Sequence, residues 1–179
     1  GVVKQVEDAE IRIVSDDSEE IVIDITDLSV CEEEKGSTVA LVKGVLAGFS
    51  SREYEIGGFY AYITSDVLIG SGVSSSAAFE TLIGAILSGV YNKMEVSPVE
   101  IAMVGQYAEN VYFGKPCGLM DQMACSVGNL VYIDFLNVDQ PFIKKLDFDL
   151  EKHGYSLCIT NTGGSHANLT DEYAAIPEE

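Results

Sequence analysis

The sequence predicts an α+β domain, a sheet with helices on one side, and three observations carry that prediction. Short runs of Ile and Val near the N-terminus flank an acidic turn, as strands of a hairpin do. One alternating run, residues 57–64, leads through a glycine-serine turn directly into a long helical pattern. Further strand-like runs follow the helices, beyond residue 130.

Taken in order, residues 11–14 and 21–25 read as two strands joined by the acidic turn 15–20, both edge-like and charged outside. Residues 31–36 form an acidic loop. Ser37 stands where a helix N-cap belongs, ahead of Val39, Val42, Val45, Leu46 and Phe49 at helical spacing. In residues 57–64, Phe59, Ala61 and Ile63 share one strand face. After the turn, Ala77, Ala78, Phe79, Leu82, Ile83, Ile86, Leu87 and Val90 cover about 200° of a wheel at roughly 100° per residue. A well-buried helix over 74–90 follows from that spread. Ser97-Pro98-Val99-Glu100 is a capping box with proline at the first helical position, opening a helix to about Phe113 that Gly114-Lys115-Pro116 stops. Residues 130–135, 142–148 and 155–160 are three more strand candidates. There is no internal repeat and no low-complexity linker.

A chain of 179 residues that is 47% hydrophobic buries a real core and is most simply one domain. Its apolar runs are short and interrupted, and no charged-then-apolar leader opens it, so it reads as soluble and cytoplasmic. A net charge of −19, with ten Lys and Arg, argues against nucleic acid and against an anionic membrane surface. An anionic ligand would need local help, from a helix N-terminus and a divalent cation. Cys31, Cys117, Cys125 and Cys158 form no C-x-x-C pair, and His153 and His166 lie far from any cysteine pair. That pattern disfavours structural zinc and suits reduced thiols behaving as small apolar groups. Residues 168–170 match a glycosylation acceptor, a chance match in a cytoplasmic chain. The chain opens at Gly1 in mid-pattern, which predicts a piece of a longer protein.

Three segments carry chemistry. In the first, Gly70, Ser71, Gly72, Val73, Ser74, Ser75, Ser76 and Ala77 pass from a small-residue turn into the buried helix. The glycines allow close backbone approach, and the serines offer hydroxyls and N–H groups at the positive end of a helix dipole, which suits a phosphate. The same pattern also suits an ordinary helix start after a glycine turn. Neither the Walker spacing nor G-x-G-x-x-G is present. In the second, Glu109 falls about 80° from Ile101 on the wheel, at the margin of an apolar stripe, where a carboxylate is half buried yet able to face a cleft. Asp121 follows in an apolar, glycine-containing stretch with no adjacent basic residue, where desolvation would tune it for proton transfer. A solvated helix glutamate and a capping aspartate are the plainer alternatives. The third, residues 160–166, is a polar loop after a strand expected to be buried, a common place for ligand contacts.

Together these segments resemble the GHMP kinase superfamily and, within it, the galactokinases. The match rests on residues 66–80 (Asp-Val-Leu-Ile-Gly-Ser-Gly-Val-Ser-Ser-Ser-Ala-Ala-Phe-Glu), on Gly105-Gln-Tyr-Ala-Glu-Asn110 followed by Pro116-Cys-Gly-Leu-Met-Asp-Gln122, and on Ile159-Thr-Asn-Thr162 continuing to Tyr173. Their order and spacing agree with the family, and weaker similarity reaches back to Gly1. The resemblance implies a ribosomal-protein-S5 domain 2-like fold with a mixed sheet. It also implies ATP and Mg²⁺ as cofactors, with residues 70–78 around the phosphates and Ser76 and Glu109 as magnesium ligands. Asp121 would act on the C1 hydroxyl of the sugar as a base or by orienting it, and Gly118 and Tyr173 would touch the sugar. Partners would be the sugar and ATP, in a monomer or weak homo-oligomer.

Leu68 and Val73 stand where the family usually has Pro and Leu. The family's Arg-x-Asn-x-x-Gly-Glu-His motif and its late glycine-rich motif are not in these residues. The resemblance therefore makes residues 1–179 the N-terminal and central domain, with 155–179 entering a second, missing domain, and predicts that this piece alone is inactive. Two other classes remain open, another small-molecule kinase of the superfamily and a non-catalytic sugar and ATP sensor.

Overall fold

The computed structural model describes residues 1–15, 19–67, 72–137 and 140–160. Gly70, Ser71 and Tyr173 lie outside them, as do Leu68, residues 161–166 and the acceptor at 168–170.

Strands β2 (Glu10–Ser15) and β3 (Ile21–Asp24) form the expected antiparallel pair, with Ile11 opposite Ile23 and Ile13 opposite Ile21. β2 is not an edge. β4 (Phe59–Ile63) lies parallel to it on the other side, with Ile13 beside Ala61, and β1 (Val2–Gln5) runs antiparallel to β4 at the margin. The sheet is therefore mixed, in the order β1-β4-β2-β3. Alternation explains the difference from expectation: Ile11 and Ile13 are buried while Arg12 and Val14 face outward, which fixes the buried face of a strand but says nothing of how many neighbours it has. The inner face, Ile11, Ile13, Ile23, Phe59, Ala61 and Ile63, makes one side of the main core.

Helices supply the other side. α1 (Thr38–Ser50) starts at Ser37, whose hydroxyl accepts from the Ala40 amide at 3.2 Å. α2 (Ser75–Tyr91) follows the glycine-serine turn, beginning within a residue of Ser76. α3 (Pro98–Tyr107) opens on the reciprocal capping box of Ser97 and Glu100. The chain then continues without a break into a π-helical segment, Ala108–Phe113, and stops at Gly114 in the left-handed region, φ 82°. Gly44 and Gly48 bring α1 against this assembly. A Cβ on Gly44 would stand 2.7 Å from both Cα and Cβ of Ala108, and one on Gly48 would stand 2.7 Å from Val104.

α4 (Met120–Val127) and a separate antiparallel hairpin, β5 (Leu130–Asp134) with β6 (Phe142–Leu146), complete the described chain. Ala102, Leu119 and Met123 form a second, smaller core with Ile133, Phe135 and Ile143 packed against it. Residues 155–160 do not form the expected third strand. Their alternating Tyr155, Leu157 and Ile159 are exposed, and without a paired neighbour alternation alone does not hold a strand. The thiols also differ from expectation: all four cysteines are free, but Cys125 and Cys158 are exposed rather than packed as small apolar groups. Among the described residues no helix is long and apolar enough to cross a membrane.

Candidate active site

The N-terminus of α2 is the point on which the chemistry-bearing residues converge. The first backbone bond of the helix runs from the Ala78 amide to the Ser74 carbonyl at 3.1 Å, so the amides of Ser75, Ser76 and Ala77 have no acceptor within the helix. Gly72, at φ 80°, adopts the left-handed conformation that a glycine takes at no cost. Two of the three serines here reach carboxylates on other elements. Ser76 Oγ donates to Glu109 Oε1 at 3.2 Å, and Ser74 Oγ donates to Asp121 Oδ2 at 2.5 Å. Separations of 33 and 47 residues are thus closed at one helix end.

Glu109 is held more deeply than its place on a wheel suggests. It is 2% exposed, neither half buried nor a solvated helix glutamate. Its position in the π-helical segment is the reason, because a π turn takes more residues than an α turn and shifts everything after Tyr107 relative to the apolar stripe. Its Oε1 faces Ser76 and, at 3.4 Å, the Lys115 ammonium, while Oε2 accepts from the Gln122 amide at 2.8 Å. The backbone carbonyl of Glu109 accepts from the Lys115 amide at 3.1 Å, so the turn that supplies the cation is tied to the residue it neutralises.

Asp121 is exposed on the first turn of α4, not desolvated among apolar groups, and it accepts a hydroxyl from Ser74 rather than capping a helix with its own side chain. The apolar character of residues 116–123 is spent instead on Leu119 and Met123, which are buried in the second core. Gly118 is exposed, and a Cβ there would meet nothing within 4 Å. Nothing within the described chain demands glycine at that position. Val73 is exposed beside the turn.

Behind Glu109 lies a buried polar group, Gln122 and Glu80. Gln122 (1% exposed) donates to Glu109 Oε2 and, at 3.2 Å, to Oε2 of Glu80, which has no exposure at all. The amide lies 3.6 Å from Cys117 Sγ as well. Burial, reinforced by the charge of Glu109, pushes the Glu80 carboxyl up to about 8, so it is protonated at neutral pH. Burial and the same charge raise the Cys117 thiol far above its ordinary range, which keeps it un-ionised. Glu80 Oε1 and Gln122 Oε1 are buried and have no partner among the described residues. A proton on Glu80 turns one of these two acceptors into a donor. The signal for Glu80 was present in the sequence: it lies three residues from Ala77 and Ile83 on the apolar stripe of α2, where a charged residue is out of place.

Ser76 and Glu109 offer a donor set that fits magnesium, two hard oxygens 3.2 Å apart. Neighbouring ligands of an octahedral ion with bonds of about 2.1 Å are separated by about 3 Å. Among the described residues there is no cluster of three or more His, Cys, Asp or Glu side chains able to hold a metal on its own. Any magnesium at this pair would need oxygens from a ligand or from water to complete its shell.

Known proteins agree with this architecture. A galactokinase from Pyrococcus furiosus is 37% identical over 141 residues, covering 79% of this chain and 39% of the relative. One from Limosilactobacillus reuteri is 31% identical over 97% of this chain and 45% of its own length. The crystal structure of Lactococcus lactis galactokinase complexed with galactose superposes with a TM-score of 0.69 at 25% identity, over 83% of this chain and 39% of that one. Methanococcus jannaschii mevalonate kinase shares the fold, with a TM-score of 0.63 at 19% identity, over 84% of this chain and 46% of that one. The chain thus spans less than half the length of these relatives. Residues 40–129, from the first turn of α1 to the end of α4, match the family described as GHMP kinases N terminal domain, and the chain belongs to the GHMP kinases.

Proposed function

We propose that the protein acts as a galactokinase, transferring the terminal phosphoryl group of ATP to the C1 hydroxyl of galactose. One observation carries the reading: Ser74 and Ser76, two positions apart at the start of α2, meet carboxylates from two other elements, Asp121 and Glu109. The galactokinase relatives support the choice of sugar.

In this reading the 70–77 segment binds the nucleotide phosphates, with the unpaired amides of the first turn of α2 aided by the positive end of the helix dipole. Ser76 and Glu109 hold Mg²⁺, which supplies charge neutralisation for the phosphates when bound. Lys115, 3.4 Å from Glu109, offsets part of the protein's negative charge at the place where an anion arrives. Asp121 faces the incoming hydroxyl and accepts its proton or orients it. Gly118, where an added Cβ would meet nothing within 4 Å, leaves room for the sugar, and Tyr173 is the further residue expected to touch it. Phosphoryl transfer asks mainly for alignment and charge stabilisation, and these residues supply both.

The test is a phosphorylation assay of the full-length protein against a panel of sugars, mevalonate and homoserine. Galactose is expected to be the preferred acceptor, with the 179-residue chain alone showing no sugar-dependent ATP turnover. Preference for a non-sugar alcohol would replace the reading with another kinase of the same fold. Binding of galactose and ATP without turnover would replace it with a sensor.

A further inference from the structure

We propose that Ser74 is a positioning residue whose hydroxyl aims the Asp121 carboxylate. The proposal rests on the kinase reading of Asp121 and extends it to a side chain that the phosphate turn would otherwise be assumed to spend on the nucleotide.

Two features of Ser74 point the same way. The first is its backbone. Ser37 and Ser97, the other serine N-caps among the described residues, sit in the extended region, at φ −103°, ψ 157° and φ −67°, ψ 151°, and both use their hydroxyls to accept an amide of their own helix. Ser74 sits at φ 62°, ψ 53°, in the left-handed region, and its side chain makes no cap bond. A Cβ is crowded in that conformation, and glycine is the residue that adopts it freely. The second is where the hydroxyl goes. It leaves α2 altogether and donates to Asp121 Oδ2 at 2.5 Å, on the first turn of α4.

The two features explain each other. Asp121 is exposed, so packing does little to choose among its rotamers, and a short hydrogen bond from a fixed backbone position selects one of them. The short hydroxyl arm of Ser74, standing in the left-handed conformation, delivers that bond from this point of the turn. A glycine at 74 would ease the backbone and leave the carboxylate loose. Since a catalytic group displaced by about 1 Å can cost roughly a hundredfold in rate, orientation of Asp121 is worth a strained serine.

The proposal separates catalysis from stability, and one experiment reads both. Ser74→Gly and Ser74→Ala are made in the full-length protein, with kcat and the KM values for ATP and galactose measured alongside the thermal midpoint. Both variants lose the hydroxyl, so kcat should fall in each by roughly tenfold to a hundredfold with both KM values little changed. The backbone conformation favours glycine, so Ser74→Gly should melt about 2–4 °C above Ser74→Ala. Wild-type kcat in Ser74→Gly would overturn the proposal while leaving the kinase reading intact. A raised KM for ATP at unchanged kcat would assign the hydroxyl to the nucleotide instead, and kcat falling in step with the melting temperature would make Ser74 merely structural. Absence of sugar turnover in the unsubstituted protein would remove the kinase reading and this proposal with it.

Discussion

Replacing Glu80 by glutamine should make the stability of this chain much less sensitive to pH, and the size of the effect follows from the site. Glu80 is wholly buried, with the Gln122 amide on one oxygen, the charge of Glu109 nearby and the Lys115 ammonium acting weakly in the opposite sense. Its carboxyl titrates at about 8 in the fold against 4.5 in the unfolded chain. A group raised in this way stabilises the fold fully below its unfolded value. The contribution is lost as pH climbs toward the folded value, at a slope approaching 1.4 kcal/mol per unit. Between pH 5 and pH 8 the loss amounts to about 3–4 kcal/mol. Glutamine has the shape of the protonated acid and never ionises. Urea unfolding followed by circular dichroism at pH 5, 6, 7 and 8 would give both stability profiles, and titrating groups remote from Glu80 cancel in their difference. The variant should gain steadily on the parent as pH rises. A difference that stays flat across this range would mean that Glu80 is already ionised in the fold, and the account of the buried pair would be wrong.

Three further outcomes are expected. In the full-length protein, Asp121→Asn should lower kcat for galactose by roughly 10²–10⁴ while ATP affinity, measured by equilibrium binding, stays close to that of the parent. Glu109→Gln keeps the Ser76 contact available but removes the charge, so half-saturation of turnover in a Mg²⁺ titration should move to higher concentration; an unchanged midpoint would remove Glu109 from the metal. Gly44→Ala would press a methyl against Ala108 Cα and Cβ, which stand 2.7 Å from that position, and should cost about 1–3 kcal/mol in urea unfolding of the chain.

Much of this architecture is legible in the sequence where local chemistry decides. Ser37, the Ser97–Glu100 box and Gly114 mark helix ends by satisfying or releasing backbone groups nearby, and the structure uses all of them. The core face of β4 reads directly from Phe59, Ala61 and Ile63. What local pattern cannot convey is partnership. Nothing in Glu10–Ser15 announces that its second neighbour arrives with Phe59, and nothing in Val2–Gln5, a short run mostly exposed, announces a strand at all. Residues 155–160 show the converse, alternation with no strand beside it among the described residues. At the site, the wheel put Glu109 at a margin because it assumed α geometry beyond Tyr107, where the helix widens. Asp121 sits among apolar neighbours in sequence, but they turn inward and leave it in solvent. Gln122 closes the Pro116–Gln122 motif with nothing local to mark it as buried, yet its amide is what joins the two carboxylates Glu80 and Glu109.

The place of β4 in the sheet has a consequence for assembly. The β2–β3 hairpin closes a short stretch of chain, pairing Ile13 with Ile21, whereas β4 pairs Phe59 with Ile11 and Tyr62 with Val2. Loop-closure entropy rises with the length of chain enclosed, so β4, one of the two inner strands, is the costliest of the four to bring home. It is also the strand that hands the chain on to the serine turn and α2. A chain holding its first hairpin and its capped helices, but not yet β4, would have most of its regular structure and no cradle. The serine-bearing end of α2 thus depends on the pairing that encloses the longest stretches of chain in this sheet.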